Sequence, residues 1–278
     1  MHDPHEAPQT SEGWFVLHDL WRIDQRRWRL AAEGQREAAG GQFAAALAAV
    51  AKDGVGAGDS AAYAVVGQKA DLLFLHWRRG LDELKQTELA LRSLAVSEFL
   101  QPAGSYLSVI EVSLYEATAI AQKKLADAGI SAGSAAYQDA FAQEMAIQRQ
   151  RLENRLHPVI PSARHVCFYP MSKRRGETHN WYALSSEERR ALMRGHGKVG
   201  HKYHTQVTQV ISGSIGFDDW EWAVTLFADD PLVFKKLVTE MRYDPASSRY
   251  AEFGSFLVGS RLQPADLPGF LGGRMPER

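Results

Sequence analysis

The chain has 278 residues, 45% of them hydrophobic and 23% charged, so it can bury the core of one large or two modest globular domains. Its 32 Lys and Arg residues balance 33 Asp and Glu residues, and the net charge of -1 excludes a whole-chain attraction to nucleic acid or anionic lipid. The single cysteine, Cys167, excludes an intramolecular disulfide, and no apolar run approaches the roughly 20 residues of a membrane span. Because the N-terminus also lacks a secretory signal, we expect a cytoplasmic protein.

The first half of the chain predicts a β-α-β-β-α-β unit. Residues 1–12 are polar and contain two prolines, which predicts a flexible lead-in. A strand over 13–18 is followed by helical composition over 22–52, and leucines at helical spacing after residue 80 predict a second helix. Three further strands are predicted over 61–67, 71–77 and 106–112.

The same order of elements returns after residue 160. A strand over 163–169 leads to a helix announced by Ser185 and Glu188, which have the spacing of a capping box. Strands over 206–212 and 220–227, a helix opening at Asp230 and Pro231, and a strand over 252–259 complete the unit.

The repeated order predicts an α+β fold. Two tandem ferredoxin-like units, residues 13–121 and 155–278, would pack their sheets face to face as a dimeric α+β barrel with the helices outside. Residues 122–154 are rich in Ala, Gln and Glu with a Gly/Ser break at 129–133, which indicates a helical linker or insertion of structural rather than chemical role.

One histidine of the capped helix has an unusual setting. Leu192, His196, Val199 and Tyr203 share a helix face, and the glycines beside His196 leave room for a flat group. The pattern fits a core histidine bonded to a backbone carbonyl, and it also fits the single axial ligand of a haem iron. No His, Cys or Asp cluster has the spacing of a zinc or di-iron site.

The strand that begins the second unit carries another candidate. Tyr169 lies on a predicted buried face and is followed at once by the basic run Lys173, Arg174 and Arg175, with Arg155 as a candidate fourth cation. Tyr169 fits plain core packing, and the cations fit either a solvated loop or a carboxylate-binding site. Gln209 alternates with Val207 and Ile211 on a predicted buried face, where its amide needs a partner or a ligand.

Five segments carry a family signature: YPMSKRR, NWYALSSEERRALMRGHGKVGHKY, QVISGSIGFDDWEW, VTLFADDPLVFKKLVTEMRYD and RYAEFGSFLVG. They resemble the Firmicute-like coproheme decarboxylases of the chlorite dismutase superfamily. The resemblance is nearly continuous over residues 155–262 and looser over GWFVLHDL, VVGQKADLLF and FLQPAGSYLSVIEV. The linker and the tail beyond Leu262 lie outside it.

The resemblance implies a role for each candidate residue. His196 would be the axial iron ligand, Tyr169 the catalytic residue beside a reactive propionate, and Gln209 the distal residue above the iron. A porphyrin with four carboxylates needs several cationic or hydroxyl partners. The coproheme-contacting positions implied by the resemblance are Arg155, Pro170, Met171, Ser172, Lys173 and Ser247.

The resemblance also implies the reaction. Hydrogen peroxide would drive the oxidative decarboxylation of two propionates of iron coproporphyrin III to vinyl groups, giving haem b in haem biosynthesis. A tyrosyl radical at Tyr169 would abstract hydrogen from a propionate before carbon dioxide leaves. Coproheme would thus be cofactor and substrate at once, a ferrochelatase is a candidate for its delivery, and the family suggests a homopentamer.

Two other functions fit parts of the pattern. A chlorite dismutase has the same fold, but that activity goes with a distal Arg, and Gln209 supplies no fixed positive charge. A non-catalytic haem carrier or sensor would keep His196 without needing Tyr169. His201 stands where relatives are expected to have Arg, so we expect one propionate contact to be weaker or pH-dependent, since imidazole has a reference pKa of about 6.5.

Overall fold

The computed structural model describes residues 10–52 and 58–277 of the chain. The first unit has the predicted β-α-β-β-α-β order, with its first helical region divided in two. Its strands are β1 (Thr10–Ile23), β2 (Asp59–Val65), β3 (Leu72–Arg78) and β4 (Leu100–Ser113), and its helices are α1 (Gln25–Leu30), α2 (Glu33–Lys52) and α3 (Leu81–Arg92).

The N-terminal strand starts earlier than the sequence predicts. Residues 1–9 of the predicted lead-in lie outside the described residues, but residues 10–12 belong to β1, where Thr10 pairs with Ser113 of β4. The prediction of a flexible segment up to residue 12 is therefore wrong at its end. Strand pairing with β4 satisfies these backbone groups, and a polar composition does not reveal that partner.

The predicted linker folds as a helical hairpin of α4 (Tyr115–Asp127) and α5 (Ala135–Leu156). Leu114, Ala121 and Met145 are buried between the two helices, and the Lys124 ammonium lies 2.6 Å from the Glu144 carboxylate. Helix α5 packs against β1 and β4. The hairpin is thus an integral layer over the first unit.

The second unit repeats the order of the first with one interruption. The predicted last strand is divided into two short strands by residues 254–256, where the register against β5 shifts by one residue: Met171 pairs with Phe253, but Phe168 pairs with Leu257. The strands are β5 (His165–Lys173), β6 (Thr208–Gly213), β7 (Trp222–Ala228), β8 (Ala251–Phe253) and β9 (Leu257–Leu262), and the helices are α6 (Ser186–His201), α7 (Leu232–Tyr243), α8 (Pro245–Ser248) and α9 (Leu267–Leu271).

The two sheets close into the predicted barrel. The strand order is β7-β6-β4-β1-β3-β2-β9-β5-β8, and an additional pairing of β7 with β5 closes the ring, with β8 flanking β5. The two units meet where β4 pairs with β6 and where β2 pairs with β9. The α+β barrel with helices outside is confirmed, and each unit contributes four of the strands in the ring.

The barrel interior is filled by side chains, so it is not the binding site. His18 is fully buried there, stacks on Phe168 with ring centroids 4.0 Å apart, and shares a 2.9 Å hydrogen bond between its Nε2 and the Thr225 hydroxyl. Alternate residues of the same strands face outward, towards the helices. Tyr169 lies on the outer face of the second unit, where it packs with side chains of α7.

The C-terminal tail returns to the first unit. Leu267 and Leu271 of α9 are buried in one cluster with Phe43 of α2. The predicted second unit, residues 155–278, therefore ends in a segment that stabilises the other unit. None of the helices within residues 10–52 and 58–277 has the length and apolar character needed to cross a membrane.

Candidate functional site

Helix α6 presents one imidazole, His196, towards Asp244 at the start of α8. The helix begins with the predicted capping box between Ser185 and Glu188, and the positions of its predicted apolar face, His196 and Val199 among them, are half-buried. The His196 Nδ1 lies 2.8 Å from the Asp244 Oδ2, and the Asp244 side chain is buried. When the carboxylate accepts a hydrogen bond from the Nδ1–H group, the Nε2 lone pair is free for a metal ion.

Asp244 is fixed by its own helix. It is the N-cap of α8, and its Oδ2 also accepts from the Ser247 amide at 3.2 Å. Because a fixed carboxylate sets the ring plane and the tautomer of a ligating histidine, Asp244 gives His196 the geometry of a metal ligand rather than that of a core histidine. The sequence analysis did not find Asp244, although the Asp-Pro pair that starts α8 is a visible capping signal.

Of the three glycines near His196, Gly197 and Gly200 lie in different surroundings. A Cβ added to Gly197 would meet no atom within 4 Å, and the residue is exposed. A Cβ added to Gly200 would lie 3.3 Å from both the Gln209 Nε2 and the Met241 Cε. Only Gly200 therefore keeps the space between α6 and the sheet free of a side chain.

Tyr169 lies on the outer face of β5, and only 7% of its surface is exposed. Its ring stacks on Phe256, with centroids 4.2 Å apart and planes inclined by 23°, and lies 5.9 Å from the Phe253 ring. Burial raises the pKa of the Tyr169 phenol well above its usual range. The hydroxyl therefore keeps its proton at neutral pH and is available as a hydrogen-atom donor rather than as a phenolate.

Lys173 ends β5 in a largely enclosed position. Its Nζ lies 4.1 Å from the centroid of the Trp181 ring and 3.4 Å from the Ala246 carbonyl, next to Ser247. Burial lowers the pKa of the Lys173 ammonium to about 8, against the opposing effect of the Asp244 and Glu221 carboxylates. The structure thus brings Lys173, Ser247 and the His196–Asp244 pair to one end of the groove.

The basic run after β5 does not act as one unit. The Arg174 guanidinium lies 3.7 Å from Glu252, and that of Arg175 lies 4.0 Å from Glu221. Glu221 also accepts from the Lys173 amide at 2.6 Å, and its own amide donates to the Ser172 hydroxyl at 3.2 Å. Of the three cations, only Lys173 points towards His196 and Asp244, and the sequence did not reveal the carboxylates that engage the other two.

Gln209 departs from the prediction of a buried face. Val207 is buried, but Gln209 is exposed and Ile211 is 39% exposed. A Cβ added to Gly200 would lie 3.3 Å from the Gln209 Nε2, so α6 approaches this part of β6. Because the Gln209 side chain is exposed, it requires no internal partner.

The remaining predicted positions are spread around the groove. Pro170 is buried, and Met171 is half-buried beside Trp222 of β7, its partner in the strand ladder. Arg155 lies on the exposed surface of the last turn of α5, apart from the other predicted residues. His201 is exposed and stacks on His204, with centroids 4.4 Å apart.

Arg242 is a further cation that the sequence analysis missed. It lies at the end of α7, where its guanidinium carbon is 3.8 Å from the centroid of the Phe253 ring, next to Tyr169. Within the described ranges, no group of three or more His, Cys, Asp and Glu side chains is placed to hold a metal ion. The chemistry of the groove is thus one imidazole, one phenol and a few cations.

Known proteins share the sequence pattern and the fold of this chain. A family model described as chlorite dismutase matches residues 36–262. The chain belongs to the chlorite dismutase family. A chlorite dismutase variant from Candidatus Nitrospira defluvii, 18% identical, shares the fold with a TM-score of 0.70 over 94% of this chain and 96% of that chain.

More similar family members are named for haem. A heme-binding protein from Thermus thermophilus is 41% identical, with a TM-score of 0.82 over 98% of this chain and 100% of that chain. A candidate heme-binding protein of Halobacterium salinarum is 44% identical and one of Natronomonas pharaonis is 43% identical, over 98% and 94% of this chain. The chain spans about half the length of these two curated relatives, 52% and 41%.

Proposed function

We propose that this chain binds iron coproporphyrin III and decarboxylates two of its propionates with hydrogen peroxide, giving haem b. The observation that carries the proposal is a carboxylate-anchored imidazole, His196, with an enclosed amine, Lys173, near its Asp244 partner and a buried phenol, Tyr169, on the same strand as Lys173. Relatives at 41% to 44% identity are named for haem binding, which supports the choice of a porphyrin as ligand.

The groove residues fit such a ligand. His196 would bind the iron through Nε2, with Asp244 holding the ring, and Gly200 would leave room for the macrocycle beside Gln209. Lys173 and the Ser247 hydroxyl, with Arg242 as a further cation, would bind the porphyrin carboxylates, whereas the role of Arg155 rests on the family resemblance alone. The bound iron supplies the redox chemistry with peroxide.

The balance of the reaction defines what the protein residues must do. Each propionate, with one peroxide and one proton, becomes a vinyl group, carbon dioxide and two waters. Tyr169 would give up its phenolic hydrogen and, as a radical, take a hydrogen atom from the propionate carbon next to the ring. Lys173 would hold the propionate carboxylate until the carbon–carbon bond breaks and carbon dioxide leaves.

The proposal excludes two neighbouring functions on particular residues. A chlorite dismutase would use a fixed positive charge at the position of Gln209, which is an uncharged amide. A haem carrier would need His196 and Asp244 but would gain nothing from a buried phenol stacked on Phe256. Delivery of coproheme by a ferrochelatase, a cytoplasmic location and a homopentameric assembly belong to the same proposal.

The test is to load the full chain with iron coproporphyrin III, add hydrogen peroxide, and follow the porphyrin by mass spectrometry. We expect two successive losses of a carboxyl group. Tight binding without mass change would contradict the proposal and favour a carrier, and oxygen release from chlorite at high turnover would favour a dismutase.

Tyr169→Phe is the decisive variant, because it keeps the stacked ring and removes only the hydroxyl. We expect it to bind the porphyrin as the wild type does and to lose decarboxylation. Tyr182→Phe, which changes an exposed tyrosine of the same unit, is the matched control. Normal turnover by Tyr169→Phe would refute the assigned role.

A further inference from the structure

The ring of Tyr169 contacts two phenylalanine rings. Phe256 stacks on it at 4.2 Å, Phe253 lies 5.9 Å away, and the two phenylalanine centroids are 6.5 Å apart, so they lie next to each other rather than on opposite faces of the tyrosine. We call Phe253, Tyr169 and Phe256 the ring clamp. Stacked and tilted aromatic rings favour particular relative orientations, so the stacked Phe256 ring resists rotation of the tyrosine out of its plane.

The break between β8 and β9 places the two phenylalanines. The Gly254 amide donates to the Pro170 carbonyl at 2.9 Å, so this segment is tied to the residue next to Tyr169. A Cβ on Gly254 would lie 2.7 Å from the Pro170 Cγ and 3.1 Å from the Trp220 ring. The close approach of the segment to β5 therefore depends on the glycine.

The other unit reaches the clamp through the turn between β2 and β3. The Lys69 Nζ donates to the Phe256 carbonyl at 2.6 Å, and the Val66 amide donates to the Val258 carbonyl at 2.9 Å. Ala70, in the same turn, is buried in a cluster with Phe168 and Leu257. The backbone carbonyls of Phe256 and Val258 are thus bound to residues of the first unit.

We propose that Phe256 is a positioning residue that sets the plane of the Tyr169 ring, and that Lys69 of the first unit holds Phe256 in place. Lys69 acts on the tyrosine only through Phe256, since it bonds the backbone carbonyl of that residue. Its catalytic consequence rests on the proposed function. Hydrogen-atom transfer needs the phenol oxygen close to the propionate carbon, and a displacement of about 1 Å costs up to about a hundredfold in rate.

The clamp is tested first without porphyrin. The full chain is labelled with ring-¹³C tyrosine, and the Tyr169 resonance is assigned by its loss in Tyr169→Phe. Phe256→Leu, which removes the ring and keeps apolar volume, should move the Tyr169 ring protons downfield. Lys69→Met should move them in the same direction by less, Lys69→Arg should restore the wild-type position, and Lys85→Met, at an exposed lysine paired with Glu88, should have no effect.

The second readout separates turnover from binding. Lys69→Met should lower the kcat of coproheme decarboxylation by roughly tenfold or more with an unchanged porphyrin Kd, and Lys69→Arg should recover it. A Tyr169 resonance in Lys69→Met identical to that in Lys85→Met overturns the proposal. If the wild type does not alter coproheme, the proposed function fails, and the resonance positions still decide whether the clamp exists.

Discussion

The two units of the barrel cover equivalent sheet faces with different helices. In the first unit, α2 packs Ala39, Phe43 and Leu47 against the sheet, and all three are buried. In the second unit, α6 buries only Arg189, and His196 is half-buried. The helix of the first unit thus covers its sheet with apolar side chains, whereas α6 contributes no buried apolar side chain.

The strand register shows which residues of the two units occupy equivalent positions. Phe15 pairs with Arg78 in the first unit as His165 pairs with Ala228 in the second, so Asp19 occupies the position equivalent to Tyr169. Asp19 is buried, and burial raises the pKa of its carboxyl to about 6. One scaffold thus carries a buried carboxyl in the first unit and, at the equivalent position of the second unit, the tyrosine of the proposed ligand site.

Loss of the His196 imidazole, the proposed iron ligand, should weaken porphyrin binding at the second unit. Since removing an outer-shell partner of a metal ligand already costs about 10- to 100-fold in affinity, His196→Ala should weaken iron porphyrin binding by more, and Asp244→Asn by about 10- to 100-fold. The measurement is porphyrin titration with electron paramagnetic resonance of the iron. Met193→Ala, at an exposed position of the same helix, is the control. An unchanged iron spectrum in His196→Ala would contradict the assignment.

Truncation of a core residue of α2 would test the closed face. Phe43 is 1% exposed and packs edge-on against Phe74, with centroids 5.4 Å apart. Phe43→Ala should lower the free energy of unfolding by about 3–5 kcal/mol. Val199→Ala on the half-buried face of α6 should cost about 1 kcal/mol or less. Equal losses in urea unfolding would show that α6 supports the core as α2 does.

The sequence predicts the features of each unit that depend on local patterns. The capping box of α6 and the repeated order of strands and helices follow from residue types a few positions apart, and both are confirmed. The face of α6 that carries His196 was also predictable, because helical periodicity fixes which residues lie together. These signals are local, so one chain suffices to read them.

The rest of the site depends on contacts between distant segments. Asp244 meets His196 from 48 residues away, and Glu252 and Glu221 engage Arg174 and Arg175 after the sheet has formed. Alternation correctly places Gln209 on the same face as Val207, but it does not predict that Gln209 is exposed while Val207 is buried. Pairing and coverage are tertiary properties, and residue spacing alone does not determine them.

We expect acid to lower the free energy of unfolding through two buried histidines. Burial lowers the pKa of His18 and His76 to about 3, so the unfolded chain takes up their protons first as the pH falls. Their contribution to stability is full above the reference pKa of about 6.5 and is lost as the pH falls towards 3. Asp19 acts in the opposite sense, because its raised pKa favours the folded state at low pH and this contribution is lost as the pH rises through 6.

The expected net effect between pH 7 and pH 5 is a loss of roughly 2 kcal/mol, since each histidine loses about 2 kcal/mol and Asp19 returns somewhat more than 1 kcal/mol. Urea unfolding of the porphyrin-free chain at the two pH values measures it. Asp19→Asn removes the opposing group and should make the loss larger. A free energy of unfolding that does not change with pH would show that these groups are solvated.

The smallest expected effects come from substitutions at two glycines of α6, Gly197 and Gly200. Comparing the two variants separates an effect on stability from an effect on porphyrin binding. Gly197→Ala adds a methyl group in open space, so it should raise the free energy of unfolding by about 0.5–1 kcal/mol and leave porphyrin affinity unchanged. Gly200→Ala gains the same helix propensity, but its Cβ would lie 3.3 Å from both Gln209 and Met241. Those side chains must yield into the groove, so we expect a smaller gain in stability and weaker porphyrin binding. Equal affinities for the two variants would show that Gly200 does not keep the groove open.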